Sequence, residues 1–238
     1  MDRNIFLSIF LFAIFNGSGL YAVIPGLSEP LPVTLTQQDT LREDQILYNG
    51  KMWRNLYYFV KGDQFLFSKD FLPGSLTING KSYKNISISY DIYNDEILTP
   101  TNHGSILQLN KEMVDSFTIN FENKTYKFIN TREDSLKGIK GYVNVLYKGK
   151  SALYVKYKKE ILLLAVDDKY DLFSQINRVY FLKNRIVYQI TSKSDFFRIL
   201  GEDKARIRDF MKKNKLKVSK KVPESFIPVI RYYDSLSK

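Results

Sequence analysis

Two stretches of this chain hold residue types that could do chemistry. The first is Tyr90-Asp91-Ile92-Tyr93-Asn94-Asp95-Glu96, three carboxylates set among aromatic side chains. On a strand, Asp91 and Tyr93 share one face, expected to point outward, and Asp95 falls at a turn. Glycoside hydrolysis uses such a set: rings stack on the sugar and two acids flank the bond. The same residues also read as ordinary turn formers, with Asp91 a solvated strand residue. The second stretch is residues 204–221, which include Arg206, Arg208, Lys212, Lys213, Lys215 and Lys217. Such a segment could lie on anionic lipid or on an acidic polysaccharide, or be a solvated helix that keeps the protein soluble.

Other chemistries find little footing. The single histidine, His103, stands in Asn102-His103-Gly104, a turn sequence. With no cysteine in the chain, thiolate catalysis, disulfides and cysteine metal sites are excluded. Gly-x-Ser-x-Gly, a glycine-rich phosphate loop and His-Glu-x-x-His are all absent from the sequence. No cofactor and no bound metal are expected, and an exported chain without a binding signature is not expected to hold nucleic acid.

The elements that must position these residues follow from hydrophobic period. From Ile46 to Ile190 the signals are those of antiparallel β structure. Asn49-Gly50 and Asn79-Gly80 stand between apolar or aromatic runs and predict tight hairpin turns. Ile86, Ile88, Tyr90 and Ile92 alternate with Ser87, Ser89 and Asp91, predicting one buried and one wet face. Asn110 is expected to cap a single helical turn through Val114. Further hairpins are expected around Glu122-Asn123-Lys124, Lys148-Gly149-Lys150 and Lys183-Asn184-Arg185. Residues 131–140 are polar and read as a linker. After Ser192 the period changes to that of helices. Phe196, Phe197 and Leu200 form one face, Ile207, Phe210 and Met211 a second, and Phe226, Val229, Ile230 and Tyr233 a third. Pro228 is expected in the first turn of the last helix. The architecture expected is two sheet-rich halves, residues 45–131 and 138–238, the second ending in helices. A membrane-spanning barrel is not expected, because the last 45 residues read as helical.

The N-terminus predicts where the chain goes. Arg3 precedes an apolar run from Ile5 to Phe15, and Asn16-Gly17-Ser18-Gly19 breaks it ahead of Ala22. That is the layout of a secretory signal peptide over residues 1–22, cleaved near Ala22. The run has 11 residues, against roughly 20 for a spanning helix, so no transmembrane segment is expected in the mature chain. Residues 23–44, with Pro25, Pro30 and Pro32, read as an extended leader. An exported chain without cysteine fits a bacterial periplasm or cell surface. Its charge is uneven: residues 23–136 carry net −3 and residues 137–238 net +14. The basic half implies an anionic partner, whether glycan, lipid surface or an acidic envelope protein.

Phe71-Leu72-Pro73-Gly74-Ser75-Leu76, Ile88-Ser89-Tyr90-Asp91-Ile92-Tyr93, Leu107-Gln108-Leu109-Asn110 and Tyr232-Tyr233-Asp234-Ser235-Leu236 together resemble a group of uncharacterised exported proteins of Bacteroidota. The resemblance covers most of the mature chain. It implies an envelope location and carries over no activity. Asp39-Thr40-Leu41, Asp134-Ser135-Leu136 and Asp234-Ser235-Leu236 are similar to the O-glycosylation acceptor pattern of that phylum. The function expected is that of a non-enzymatic binding or scaffold protein of the envelope. The alternative is a carbohydrate-active hydrolase working through Asp91, Asp95 and Glu96.

Overall fold

A computed structural model describes residues 49–132, 136 and 138–236. The expected signal peptide, the leader, Asp39-Thr40-Leu41 and Ser135 lie outside the described residues. The chain is mainly antiparallel β, followed by helices. Among the described residues eleven strands form one sheet: β1 (Gly50–Met52), β2 (Leu72–Ile78), β3 (Lys81–Asp91), β4 (Glu96–Pro100), β5 (Ile106–Leu109), β6 (Val114–Phe121), β7 (Lys124–Thr131), β8 (Gly141–Lys148), β9 (Ala152–Val166), β10 (Tyr170–Lys183) and β11 (Ile186–Ile190). Their order is β1-β5-β4-β3-β2-β6-β7-β8-β9-β10-β11. The two sheet-rich halves are continuous, since Phe128 pairs with Asn144 across β7 and β8.

Turn chemistry explains the hairpins. Asn79 and Gly80 have φ of 48° and 80° between β2 and β3, the left-handed pair that a two-residue turn needs if strand twist is to be kept. Glu122 and Asn123 do the same between β6 and β7, and Asn184 and Arg185 between β10 and β11. Asn49-Gly50 departs from expectation. Gly50 lies in β1, opposite Leu109 of β5. Glycine is needed there for space: a Cβ would stand 2.2 Å from the Gln108 carbonyl oxygen. At Asn110 the expected helical turn is a tight turn, with Met113 N–H donating to the Asn110 carbonyl at 3.1 Å, and Val114 opens β6.

The sheet curls until distant strands meet. In strand order, β2, β6, β7 and β8 lie between β3 and β9. Yet Lys159 N–H of β9 donates to the Ile92 carbonyl just beyond β3, at 3.2 Å. The segment 61–66 closes the gap. Lys61 exchanges backbone hydrogen bonds with Asp171 and Phe173 of β10, and Gln64 and Leu66 do so with Ile92 and Tyr90. Lys159 Nζ locks the segment by donating to the carbonyls of Asp63 and Phe65 at 2.6 and 2.8 Å.

Alternation along the strands makes two cores. Val179 and Phe181 of β10 face the larger core, and Tyr180 faces the smaller one. At the centre of the larger core Tyr90, Phe117, Phe128 and Tyr142 meet ring to ring, with Phe117 stacked on Phe128 at 4.6 Å. Each such pair adds about 1 kcal/mol to the burial of the rings. The smaller core takes Leu136 and Ile139, so the polar stretch 131–140 supplies two apolar anchors.

Among the described residues three α-helices cover the larger core: α1 (Lys193–Leu200), α2 (Lys204–Lys213) and α3 (Ile227–Leu236). Ser192 caps α1, its Oγ accepting from Asp195 N–H at 3.0 Å. The expected faces are largely the buried ones: Phe196, Phe197 and Leu200, then Ile207 and Met211, then Phe226, Val229, Ile230 and Tyr233, while Phe210 is only half-buried, stacked on Tyr232. Pro228 sits in the first turn of α3, as expected. Near the end of α3, buried Asp234 accepts from Ser151 N–H at 3.0 Å and from Tyr147 Oη, tying the helix to the β8–β9 turn. Ser235 beside it is exposed and donates its hydroxyl to the Tyr232 carbonyl. No helix among the described residues is long and apolar enough to cross a membrane.

Candidate functional site

The acidic cluster does not form one cleft. Asp91 was expected on a wet strand face, and it is fully buried at 0% exposure. The cause is long-range, since Phe65 pairs beside Asp91 along the edge of β3 and Gln64 next to it reaches the Asp91 carboxylate. Its carboxylate accepts from the backbone N–H groups of Tyr93 and Asn94 at 3.0 and 2.9 Å, and from Asn94 Nδ2 at 2.8 Å. Gln64 Nε2 adds a fourth donor at 3.3 Å. Burial raises the Asp91 pKa against those hydrogen bonds. The residue organises the β3–β4 turn from within.

Asp95 occupies a left-handed position in the same turn, with φ 61°. Its carboxylate accepts from Tyr90 Oη at 2.6 Å and pairs with Lys156 at 2.7 Å and with Lys111. Burial alone would raise its pKa, and the two ammonium charges overcome that and hold it below the usual carboxylate range. Burial lowers the Lys156 pKa despite Asp95. The two directions agree physically, because the carboxylate faces two cations while those cations share one carboxylate. Lys111 and Lys156 were not singled out in the sequence; only folding brings them to Asp95.

Glu96 alone of the three opens on a cleft. The cleft, about 360 Å³, includes Trp53, Arg54, Tyr57, Asn94 and Gln108. Burial, then the charge of Asp91, raises the Glu96 pKa. His103 is exposed in the turn before Gly104. Among the described residues no group of three or more His, Asp or Glu side chains is placed to hold a metal ion.

A second depression is on the helices. A groove of about 570 Å³ is rimmed by Lys193, Arg208, Lys212, Lys215 and Lys217 and floored by Phe197, Met211 and Leu216. Four of the six basic residues singled out in the sequence, Arg208, Lys212, Lys215 and Lys217, meet there. Arg206 and Lys213 do not line it, and Arg206 stands 3.8 Å from Asp203. Lys193, from the first turn of α1, joins the set, and helical period alone gave no sign of it.

Local structure makes the groove. The last turn of α2 ends in a Schellman motif: Leu216 N–H donates to the Met211 carbonyl at 2.9 Å, and Lys215 N–H to that of Lys212 at 3.3 Å. The motif folds Leu216 back beside Met211. Lys215 takes the left-handed position, φ 52°, where glycine is usual. Across the groove the Arg208 guanidinium lies 4.9 Å from the centre of the Phe197 ring.

No protein-family model, curated protein or solved structure is similar to this chain.

Proposed function

We propose that this chain is an exported, non-enzymatic binding or scaffold protein of a bacterial envelope, and that it holds an anionic partner on its basic C-terminal half. One observation carries the reading: five cations converge on one groove that no carboxylate lines. Like charges gathered round one depression repel each other and favour a bound anion. The signal-peptide layout of residues 1–22 supports export to the periplasm or cell surface. Glycoside hydrolysis has less support, because Asp91 and Asp95 are committed to internal hydrogen bonds and only Glu96 faces open space.

The test is retention of the purified chain on anionic vesicles and on an acidic polysaccharide column, at low and moderate salt. Lys212→Gln, Lys215→Gln and Lys217→Gln together should abolish retention. A control with Arg206→Gln, Lys213→Gln and Lys220→Gln removes as much charge outside the groove and should keep most of it. Exposed charges are screened beyond about 8 Å at physiological salt, so wild-type retention should fall steeply as salt rises. Equal retention of both variants would return these lysines to the role of a solvated face. Export is tested separately by N-terminal sequencing, with Val23 expected as the first residue.

A further inference from the structure

We infer that the groove between α1 and α2 binds the headgroup of an anionic lipid, with the phosphate among its five cations and the first methylenes of the chain on its floor. This rests on the reading of the basic face as the binding surface, and adds the ligand class.

Two features together point to an anionic lipid headgroup. The first is the floor. A polysaccharide is met by a row of charges on an open face, whereas these cations surround Phe197, Met211 and Leu216. Their lysine and arginine stems extend the apolar lining upward, since such side chains lay hydrocarbon along a surface while the charged head stays wet.

The second is charge. Of the nearby acids, Asp195 pairs with Arg198 and accepts from Thr191, Asp203 faces Arg206, and Asp209 does not line the groove. Among the described residues none of the five groove cations has an acidic partner within ion-pair distance. The groove is therefore complementary to a compact anion. Lys193 and Ser194 bring the N-terminal turn of α1 to its edge, adding the positive end of the helix dipole.

The experiment uses the purified chain and soluble, monomeric dihexanoyl phosphatidylglycerol, titrated by calorimetry. Dihexanoyl phosphatidylcholine, inorganic phosphate and polygalacturonate are the comparison ligands. Seating two or so methylenes should make the anionic lipid bind on the order of tenfold tighter than inorganic phosphate. It should also bind tighter than the zwitterionic lipid, and the Lys212, Lys215 and Lys217 triple glutamine variant should lose at least that factor. Polygalacturonate binding as tightly as the lipid, or lipid binding no better than phosphate, overturns the lipid assignment and leaves the basic-face reading standing. Failure of every anion to bind overturns both.

Discussion

Lys156 Nζ of β9 stands 2.7 Å from Asp95 Oδ1 in the β3–β4 turn. The contact crosses the mouth of the curled sheet and joins elements 61 residues apart in the chain. Tyr142 N–H of β8 reaches the same oxygen at 3.4 Å, and Tyr90 Oη donates to it at 2.6 Å. Asp95 is thus a clasp between the β3–β4 turn and strands β8 and β9.

Asp95→Asn keeps the side-chain shape and tolerates the left-handed backbone, but leaves Lys156 in a largely buried site without its charge partner. Breaking a buried pair from one side costs about 3–5 kcal/mol. The variant should lose about 3 kcal/mol in chemical denaturation. A loss below about 0.5 kcal/mol, the size of an ordinary surface change, would mean that the clasp carries no load.

Acid should act through the same carboxylate. The folded-state pKa of Asp95 lies below its unfolded value, so the unfolded chain binds the proton more readily. Its contribution is therefore complete above the ordinary carboxylate pKa of about 4 and is lost as pH falls below it. Thermal melts from pH 6 to pH 2 should show a decline that is shallower in Asp95→Asn. Buried Asp91 has the opposite sign. Its raised pKa means that its ionisation opposes folding as pH rises through the carboxylate range, so the loss of stability on acidification should be steeper in Asp91→Asn.

Much of the fold was legible because local signals agreed with the global structure. Asn79-Gly80 and the loss of strand period after Ser192 depend on neighbours in sequence, and both read correctly. Asp91 did not, because alternation assigned it to a wet face and nothing near it in the chain announces that residues 61–66 will pair along β3 and bring Gln64 onto its carboxylate. The site was half legible for the same reason. Lys212, Lys215 and Lys217 are adjacent in sequence and were singled out. Lys193 joins them only through the packing of α1 on α2, and Lys213, equally basic, points elsewhere.

Gly50 shows how a turn signal can mislead. Its backbone lies so close to Gln108 that any side chain must push β1 away from β5. β1 is an exposed edge strand of three residues, so the damage should stay local. Trp53 follows it, with its N–H donating to the Ile106 carbonyl at 2.9 Å, and it is the single tryptophan of the chain. Gly50→Ala should shift Trp53 emission to longer wavelength and speed amide exchange at Trp53, with the melting temperature little changed. Unaltered emission would mean that the edge accommodates a methyl group and that glycine is dispensable there.

The backbone of Lys215 allows stability and binding to be pulled apart. A left-handed conformation costs an ordinary residue about 1–2 kcal/mol. Glycine removes that cost but gives back about 0.4–1 kcal/mol through the freer unfolded chain. Lys215→Gly should therefore stabilise the protein by about 0.5 kcal/mol, raising its melting temperature by about 1–2 °C for a chain of this size. The same change takes one cation from the groove rim and should weaken binding to anionic lipid. A structural lysine would give the first effect without the second. Lys213→Gly is the counterpart: it lies in the last turn of α2 and does not line the groove. It should destabilise by about 0.5–1 kcal/mol through lost helix propensity and leave lipid affinity unchanged. If Lys215→Gly binds anionic lipid as tightly as the wild type, the strained lysine has no part in the site.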